Sequence, residues 1–325
     1  MSPFTGAADF SLSGDGSLAY VPGGARVGER TLLWVDRIGT AQPLPAPQRP
    51  YMFPRLSRDG QRLAVSIQGA NPGIWVYELA RGILSRLTES AGVPRSIWTP
   101  DGKHLTFGSP QSGPANLYWM LADGSGAAER LTASENFQVP GSWSPDGQVF
   151  AFTEADPATG LDIWVLGLQG DRKPRPFLQT PSNEYGPAFS PDGRWVAYGS
   201  DETGRQEIYV WPFPGPGGKM RISTDGGTEP MWTRNGRELF YRNGDKMMAT
   251  AVETKPVFAA TKPKLLFEGH YQTGFGAFEP DYDVNSDGQK FLMIKASQQK
   301  SAVTQLNVVL NWSDELCRLG PAGKP

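Results

Sequence analysis

The sequence predicts an all-β fold, a β-propeller of seven four-stranded blades. Three observations carry this. A four-residue turn recurs seven times, as Ser13-Gly14-Asp15-Gly16, Ser57-Arg58-Asp59-Gly60, Thr99-Pro100-Asp101-Gly102, Ser144-Pro145-Asp146-Gly147, Ser190-Pro191-Asp192-Gly193, Thr233-Arg234-Asn235-Gly236 and Asn285-Ser286-Asp287-Gly288. The steps between successive Asp or Asn positions are 44, 42, 45, 46, 43 and 52 residues, and a period of roughly 40–45 is that of a propeller blade. No long segment shows the 3.6-residue period of an amphipathic helix.

Each turn has a physical logic. The first side chain closes a local ring, Pro sets φ where it is present, Asp or Asn suits the third position, and Gly tolerates the left-handed conformation. A large apolar residue precedes every copy: Leu12, Leu56, Trp98, Trp143, Phe189, Trp232 and Val284. An alternating second strand follows, for example Leu63-Ala64-Val65, Phe150-Ala151-Phe152 and Val196-Ala197-Tyr198. Apolar runs on both sides of a tight turn read as a β-hairpin. Third strands read Leu33-Trp34-Val35, Ile74-Trp75-Val76, Leu117-Tyr118-Trp119, Ile163-Trp164-Val165, Ile208-Tyr209-Val210, Met247-Met248-Ala249 and Leu306-Asn307-Val308-Val309. Fourth strands are clear at Arg86-Leu87-Thr88, Arg130-Leu131-Thr132, Phe177-Leu178 and Arg221-Ile222-Ser223.

The repeat units run over about 8–46, 51–88, 93–132, 139–180, 185–224, 229–268 and 278–312, with a tail at 313–325, all in a single domain of 1–325. Pro43 to Pro50 reads as an extended crossover between blades, in preference to a polyproline ligand. The excursion Thr254 to Lys264 accounts for the 52-residue step. The last unit shows three strands and no fourth. Either Met1 to Ala8 closes the ring or the final blade keeps three strands, and six or eight blades are the alternatives to seven.

Composition limits the function. A chain of 325 residues can bury a large core without metals or disulfides. With a formal charge of −2 it offers no basic field for nucleic acid. The lone Cys317 excludes an internal disulfide and any multi-cysteine zinc site. The first residues have neither a basic n-region nor an apolar h-region, and no apolar run reaches membrane-spanning length.

Catalytic motifs are sparse. No Gly-x-Ser-x-Gly elbow occurs, and His104 and His270 are the only histidines. Asp283-Val284-Asn285-Ser286-Asp287-Gly288 matches the opening of a calcium loop, but Ile294 stands where the bidentate acid belongs, so it reads as a repeat turn. Gly215-Pro216-Gly217-Gly218 lacks the strand-to-helix setting of a phosphate loop. No metal or cofactor is expected. The better candidates lead into the first strands, which line the axis of a propeller: Arg55, Arg95, Glu135, Glu184, Tyr185, Glu229 and Glu279, with Asp9. Convergent polar groups at a concave axis form a ligand site, here one for a peptide end or another small polar ligand. The plainer alternative is a solvated rim of ion pairs. Asp15, Asp59, Asp101, Asp146, Asp192, Asn235 and Asp287 are assigned to turns.

The repeat, apolar-Ser-Pro-Asp-Gly-x-x-apolar-Ala-Phe/Tyr with Ile-Tyr/Trp-Val and Arg-Leu-Thr, resembles the TolB-like, WD40-like propeller family over residues 8–312. Leu33-Trp34-Val35-Asp36-Arg37, Pro54-Arg55-Leu56-Ser57, Tyr282-Asp283-Val284, Phe291-Leu292-Met293 and Leu306 to Trp312 look like the propeller that follows the kinase domain and membrane anchor in some bacterial serine/threonine kinases. No kinase motif is present. The resemblance implies a non-catalytic sensor, extracytoplasmic or periplasmic, within a longer membrane-anchored chain, recognising a protein or small polar ligand. Two other readings stand beside it: a hydrolase or lyase using Glu184, Glu229 or Glu279, and a protein-interaction scaffold.

Overall fold

The computed structural model describes residues 10–14, 16–20, 28–69, 71–89, 95–111, 113–273, 280–297 and 307–312. They fall into two compact units, Glu29–Ser297 and a smaller one made of Met1–Gly28 with Gln298–Pro325. Strands are numbered along the chain. β1 (Phe10–Leu12) and β2 (Leu18–Tyr20) belong to the smaller unit, while β3 (Arg30–Asp36) and β4 (Ala41–Pro43) open the larger.

Five sheets follow in sequence, each antiparallel. The first holds β5 (Tyr51–Leu56), β6 (Arg62–Ile67), β7 (Gly73–Glu78) and β8 (Ile83–Arg86). The second holds β9 (Ser96–Trp98), β10 (His104–Ser109), β11 (Asn116–Leu121) and β12 (Glu129–Arg130). The third holds β13 (Phe137–Trp143), β14 (Val149–Asp156), β15 (Gly160–Gly167) and β16 (Pro174–Leu178). The fourth holds β17 (Glu184–Phe189), β18 (Trp195–Ser200), β19 (Glu207–Pro212) and β20 (Met220–Arg221). The fifth holds β21 (Thr228–Trp232), β22 (Glu238–Asn243) and β23 (Lys246–Glu253), with β24 (Ala259–Ala260) and β25 (Lys264–Glu268) both paired to β23. The sixth runs β26 (Asp283–Val284), β27 (Lys290–Ala296), β3, β4. First strands pack on first strands from β5 through β21, and β26 and β27 pack on β5. The fifth and sixth sheets share a core around Phe240, Phe267, Tyr282 and Phe291. The six sheets of the larger unit therefore close on themselves, leaving no sheet without a neighbour on either face.

Closure differs from the sequence reading. Leu33-Trp34-Val35 was expected as the third strand of the first unit, 8–46, but β3 pairs with β27, from Lys290↔Asp36 to Ala296↔Arg30. The sixth sheet thereby takes its inner two strands from the far end of the unit and its outer two from the near end. β28 (Asn307–Val309), expected as the third strand of the last unit, 278–312, instead pairs with β2 in a three-stranded sheet of the smaller unit. Burial explains the choice. Leu32, Leu33 and Val35 of β3 are all buried against apolar neighbours, whereas Val308 of β28 is 56% exposed. A strand buried on both faces gains more from the same ladder.

The turns behave as their chemistry dictates. The hydroxyls of Ser57, Thr99, Ser144, Ser190 and Thr233 each accept the N–H five residues on, at 2.9–3.0 Å. Four of them donate to the turn Asp two residues on, at 2.5–2.6 Å, and Thr233 makes the same contact with Asn235 at 2.8 Å. Gly60, Gly102, Gly147, Gly193, Gly236 and Gly288 have φ of 67° to 73°, which a Cβ would resist. Asp15 lies outside the described residues. Before the turns, Trp98, Trp143 and Trp232 reach the preceding sheet, donating from Nε1 to Arg55 O, Thr106 Oγ1 and Ala188 O at 2.9–3.0 Å.

Candidate functional site

The first strands carry a recurring irregularity. Register breaks occur between Met52 and Arg55, Pro140 and Ser142, Tyr185 and Ala188, and Thr228 and Met231. In three of these bulges a residue with positive φ precedes proline: Phe53 at 50°, Gly186 at 62° and Glu229 at 61°. Proline has no N–H for the ladder, so the strand breaks there and backbone groups turn out of the sheet.

What they meet is polar. Asp281, just before β26, accepts the Phe53 N–H on Oδ1 at 2.7 Å, and its own N–H donates to Glu229 Oε2 at 3.1 Å. The Tyr282 hydroxyl donates to Glu229 O at 2.9 Å. Arg55 Nη1 donates to Pro54 O at 2.7 Å and Tyr282 O at 3.2 Å, and the Leu56 N–H donates to Asp283 Oδ2 at 2.6 Å. One network thus ties β5, β21 and β26. Arg95, half-buried at the entry to β9, lays its guanidinium 4.7 Å over the Phe53 ring, a cation–π contact.

The cluster is deeply desolvated. Asp281 is 0% exposed, Glu229 1% and Arg55 7%. Burial pushes the Asp281 carboxyl above its ordinary range, against the Phe53 N–H and the fields of Arg30, Arg55 and Arg95. Asp283 is likewise raised by burial, opposed first by Arg55. Three arginines, Arg30, Arg55 and Arg95, thus act on one buried acid.

Three candidates from the sequence, Arg55, Arg95 and Glu229, come together here. Glu184 and Tyr185 lie in β17, both buried, and burial raises both groups. Glu135 is exposed ahead of β13, the one described candidate that fits the solvated rim. Glu279 and Asp9 lie outside the described residues, as does Cys317. Sequence reasoning missed Asp281, Asp283, Phe53 and Arg30. The alternation Glu279-Pro280-Asp281-Tyr282-Asp283 was a usable signal, since it sets acids at two-residue spacing before a first strand.

The other candidates have local partners. His104 stacks on Trp119 at 4.8 Å, and His270, 93% exposed, meets Asp245 at 2.7 Å. In the calcium-like stretch, Asp283 Oδ1 accepts the Val284 N–H, Asn285 Oδ1 accepts those of Gln289 and Lys290, and Asp287 Oδ1 accepts that of Gln289. Backbone donors occupy these oxygens, as a repeat turn requires.

The TolB beta propeller domain matches residues 11–160. Among solved structures, a TolB-type protein of Agrobacterium tumefaciens covers 83% of this chain and 99% of its own length, with TM-score 0.66 and 18% identity. TolB from Acinetobacter baumannii gives TM-score 0.56 and 17% identity over 74% of this chain and 67% of its own. An uncharacterized peptidase of Bacillus subtilis, YuxL, is 25% identical over 194 residues, 46% of this chain and only 29% of that protein. The repeat turns, the four-stranded antiparallel sheets and these likenesses give the chain a β-propeller fold similar to that of TolB-type proteins.

Proposed function

We propose that this protein is a binding propeller, not an enzyme, and that the end of the axis around Arg55, Arg95, Glu229 and Asp281 receives a protein segment or small polar ligand. The observation that carries the reading is a comparison within the repeat. At the same bulge, one sheet uses Gly186, for which positive φ is free of strain, while two others keep Phe53 and Glu229. A non-glycine residue in that region costs about 1–3 kcal/mol, and such strain gathers at ligand-holding sites. Both strained residues belong to the same buried polar network.

The chemistry fits a peptide end. Arg95 offers planar donors to a carboxylate or carbonyl, with Phe53 fixing its plane and Asp281 balancing the charge beneath. A sensor in a membrane-anchored, extracytoplasmic chain is the setting we propose. Calorimetric titration with trialanine, its N-acetyl form and its C-terminal amide tests the reading. Trialanine should bind, amidation should weaken it, and Arg95→Gln should lower affinity about tenfold for the free carboxylate only, the order of one charged contact. Equal affinity of Arg95→Gln for free and amidated peptide would overturn it.

A further inference from the structure

A second acidic site lies where the third and fourth sheets meet. The Leu161 N–H donates to Asn183 Oδ1 at 3.0 Å, which sets the start of β15, carrying Asp162, beside the start of β17, carrying Glu184. Both side chains are buried, at 0% and 2% exposure. Asp162 Oδ2 accepts Thr159 Oγ1 at 2.5 Å and Gln179 Nε2 at 3.1 Å, and Glu184 Oε1 accepts the Thr180 hydroxyl. Asp162 Oδ1 and Glu184 Oε2 are buried without a hydrogen-bond partner.

Equivalent positions elsewhere are satisfied. Gln138, which occupies in β13 the place of Glu184 in β17, accepts the Thr132 hydroxyl on Oε1 and donates from Nε2 to Glu154 Oε2 at 2.5 Å. Glu207, which occupies in β19 the place of Asp162 in β15, is met by Arg205, the Ser223 hydroxyl and the Gly226 N–H. Unlike these two positions, Asp162 and Glu184 each keep one buried oxygen without a donor. Two ionised carboxylates there would repel and leave two buried lone-pair sites empty.

We propose that Glu184 is a neutral carboxylic acid in the folded protein and donates its Oε2 proton to Asp162, so that Glu184 acts as a pH-sensitive joint between two sheets. A proton needs no space, and it gives Glu184 the donor that Gln138 has. Burial pushes the Glu184 carboxyl up, and the Asp162 charge adds to this. The charged groups facing the joint leave that balance in place. Lys219, whose field opposes it, is engaged by Glu202. Asp201 is held by Asn183, and the buried Tyr198 and Tyr185 phenols are raised, hence neutral.

The sign follows. A folded-state pKa above the unfolded one means that the folded protein binds more protons, so stability falls as pH rises from the ordinary glutamate value of 4.5 through the raised one. One linked proton lowers the folding constant by up to tenfold per pH unit across that window. Urea unfolding of the whole chain should show this slope in the wild type, reduced in Glu184→Gln, which becomes the more stable protein at alkaline pH. Infrared spectra at neutral pH should show a protonated-carboxyl stretch that Glu184→Gln removes. A Glu184→Gln protein with an unchanged slope and an unchanged infrared band would overturn the proposal, and so would a wild type without that band.

Discussion

Replacing Glu229 by glycine and by alanine tests the strain argument directly. Glu229 sits at φ 61°, is 1% exposed, and accepts the Asp281 N–H at 3.1 Å. Both substitutions lose that acceptor and leave a buried N–H unpaired, a cost of about 1–3 kcal/mol. Alanine keeps the strain of the left-handed region, about 1–2 kcal/mol, while glycine relieves it and loses about 0.5–1 kcal/mol to the greater freedom of its unfolded chain. Glu229→Gly should therefore be more stable than Glu229→Ala by about 0.5–1 kcal/mol, the reverse of the usual order within strands. Urea unfolding followed by tryptophan fluorescence measures the difference, with Ala197→Gly in β18 as a control that should lose stability in the ordinary way. An alanine variant at 229 as stable as the glycine variant would show that the backbone is not strained there, and the comparison with Gly186 would lose its force.

Other outcomes follow from single contacts. Ser144→Ala removes the donor to Asp146 and the acceptor of the Val149 N–H, and should cost about 1–2 kcal/mol at neutral pH. The Ser144 hydroxyl, with the Gln148 N–H, holds the Asp146 carboxyl below its ordinary value, so its stabilisation is present above that value and is lost as pH falls through the folded one. The variant should therefore show a shallower loss of stability in acid; an unchanged acid limb would count against the assignment. Arg37 meets Glu238 through Nη1 at 2.9 Å and Nη2 at 2.7 Å, joining the fifth and sixth sheets, with side chains 26% and 28% exposed. A double-mutant cycle with alanine at both positions should give a coupling of about 1 kcal/mol that shrinks in high salt.

Much of the fold was legible because its signals are local. The Ser144 hydroxyl bonds to residues two and five positions away, so the turn is written in consecutive letters and can be read without knowing what surrounds it. The site was legible only in part. Arg55, Arg95 and Glu229 announce themselves as polar residues before apolar strands, but their partners are distant in sequence: Asp281 lies 228 residues from Phe53 and 52 from Glu229. Glu184 and Glu135 carry the same signal as Glu229, yet one is buried at a sheet junction and the other is exposed.

By itself, then, the sequence determined an all-β repeat with hairpins at known turns, because turn geometry and two-residue alternation are properties of neighbouring residues. Tertiary structure alone decided which strand completes which sheet. Leu33-Trp34-Val35 and Leu306-Asn307-Val308-Val309 both satisfy the local pattern of a third strand, and only burial on both faces chooses β3 as the partner of β27. It also decided which carboxylates lose their water, since desolvation and the fields of Arg30, Arg55 and Arg95 are set by neighbours that the chain brings from far apart.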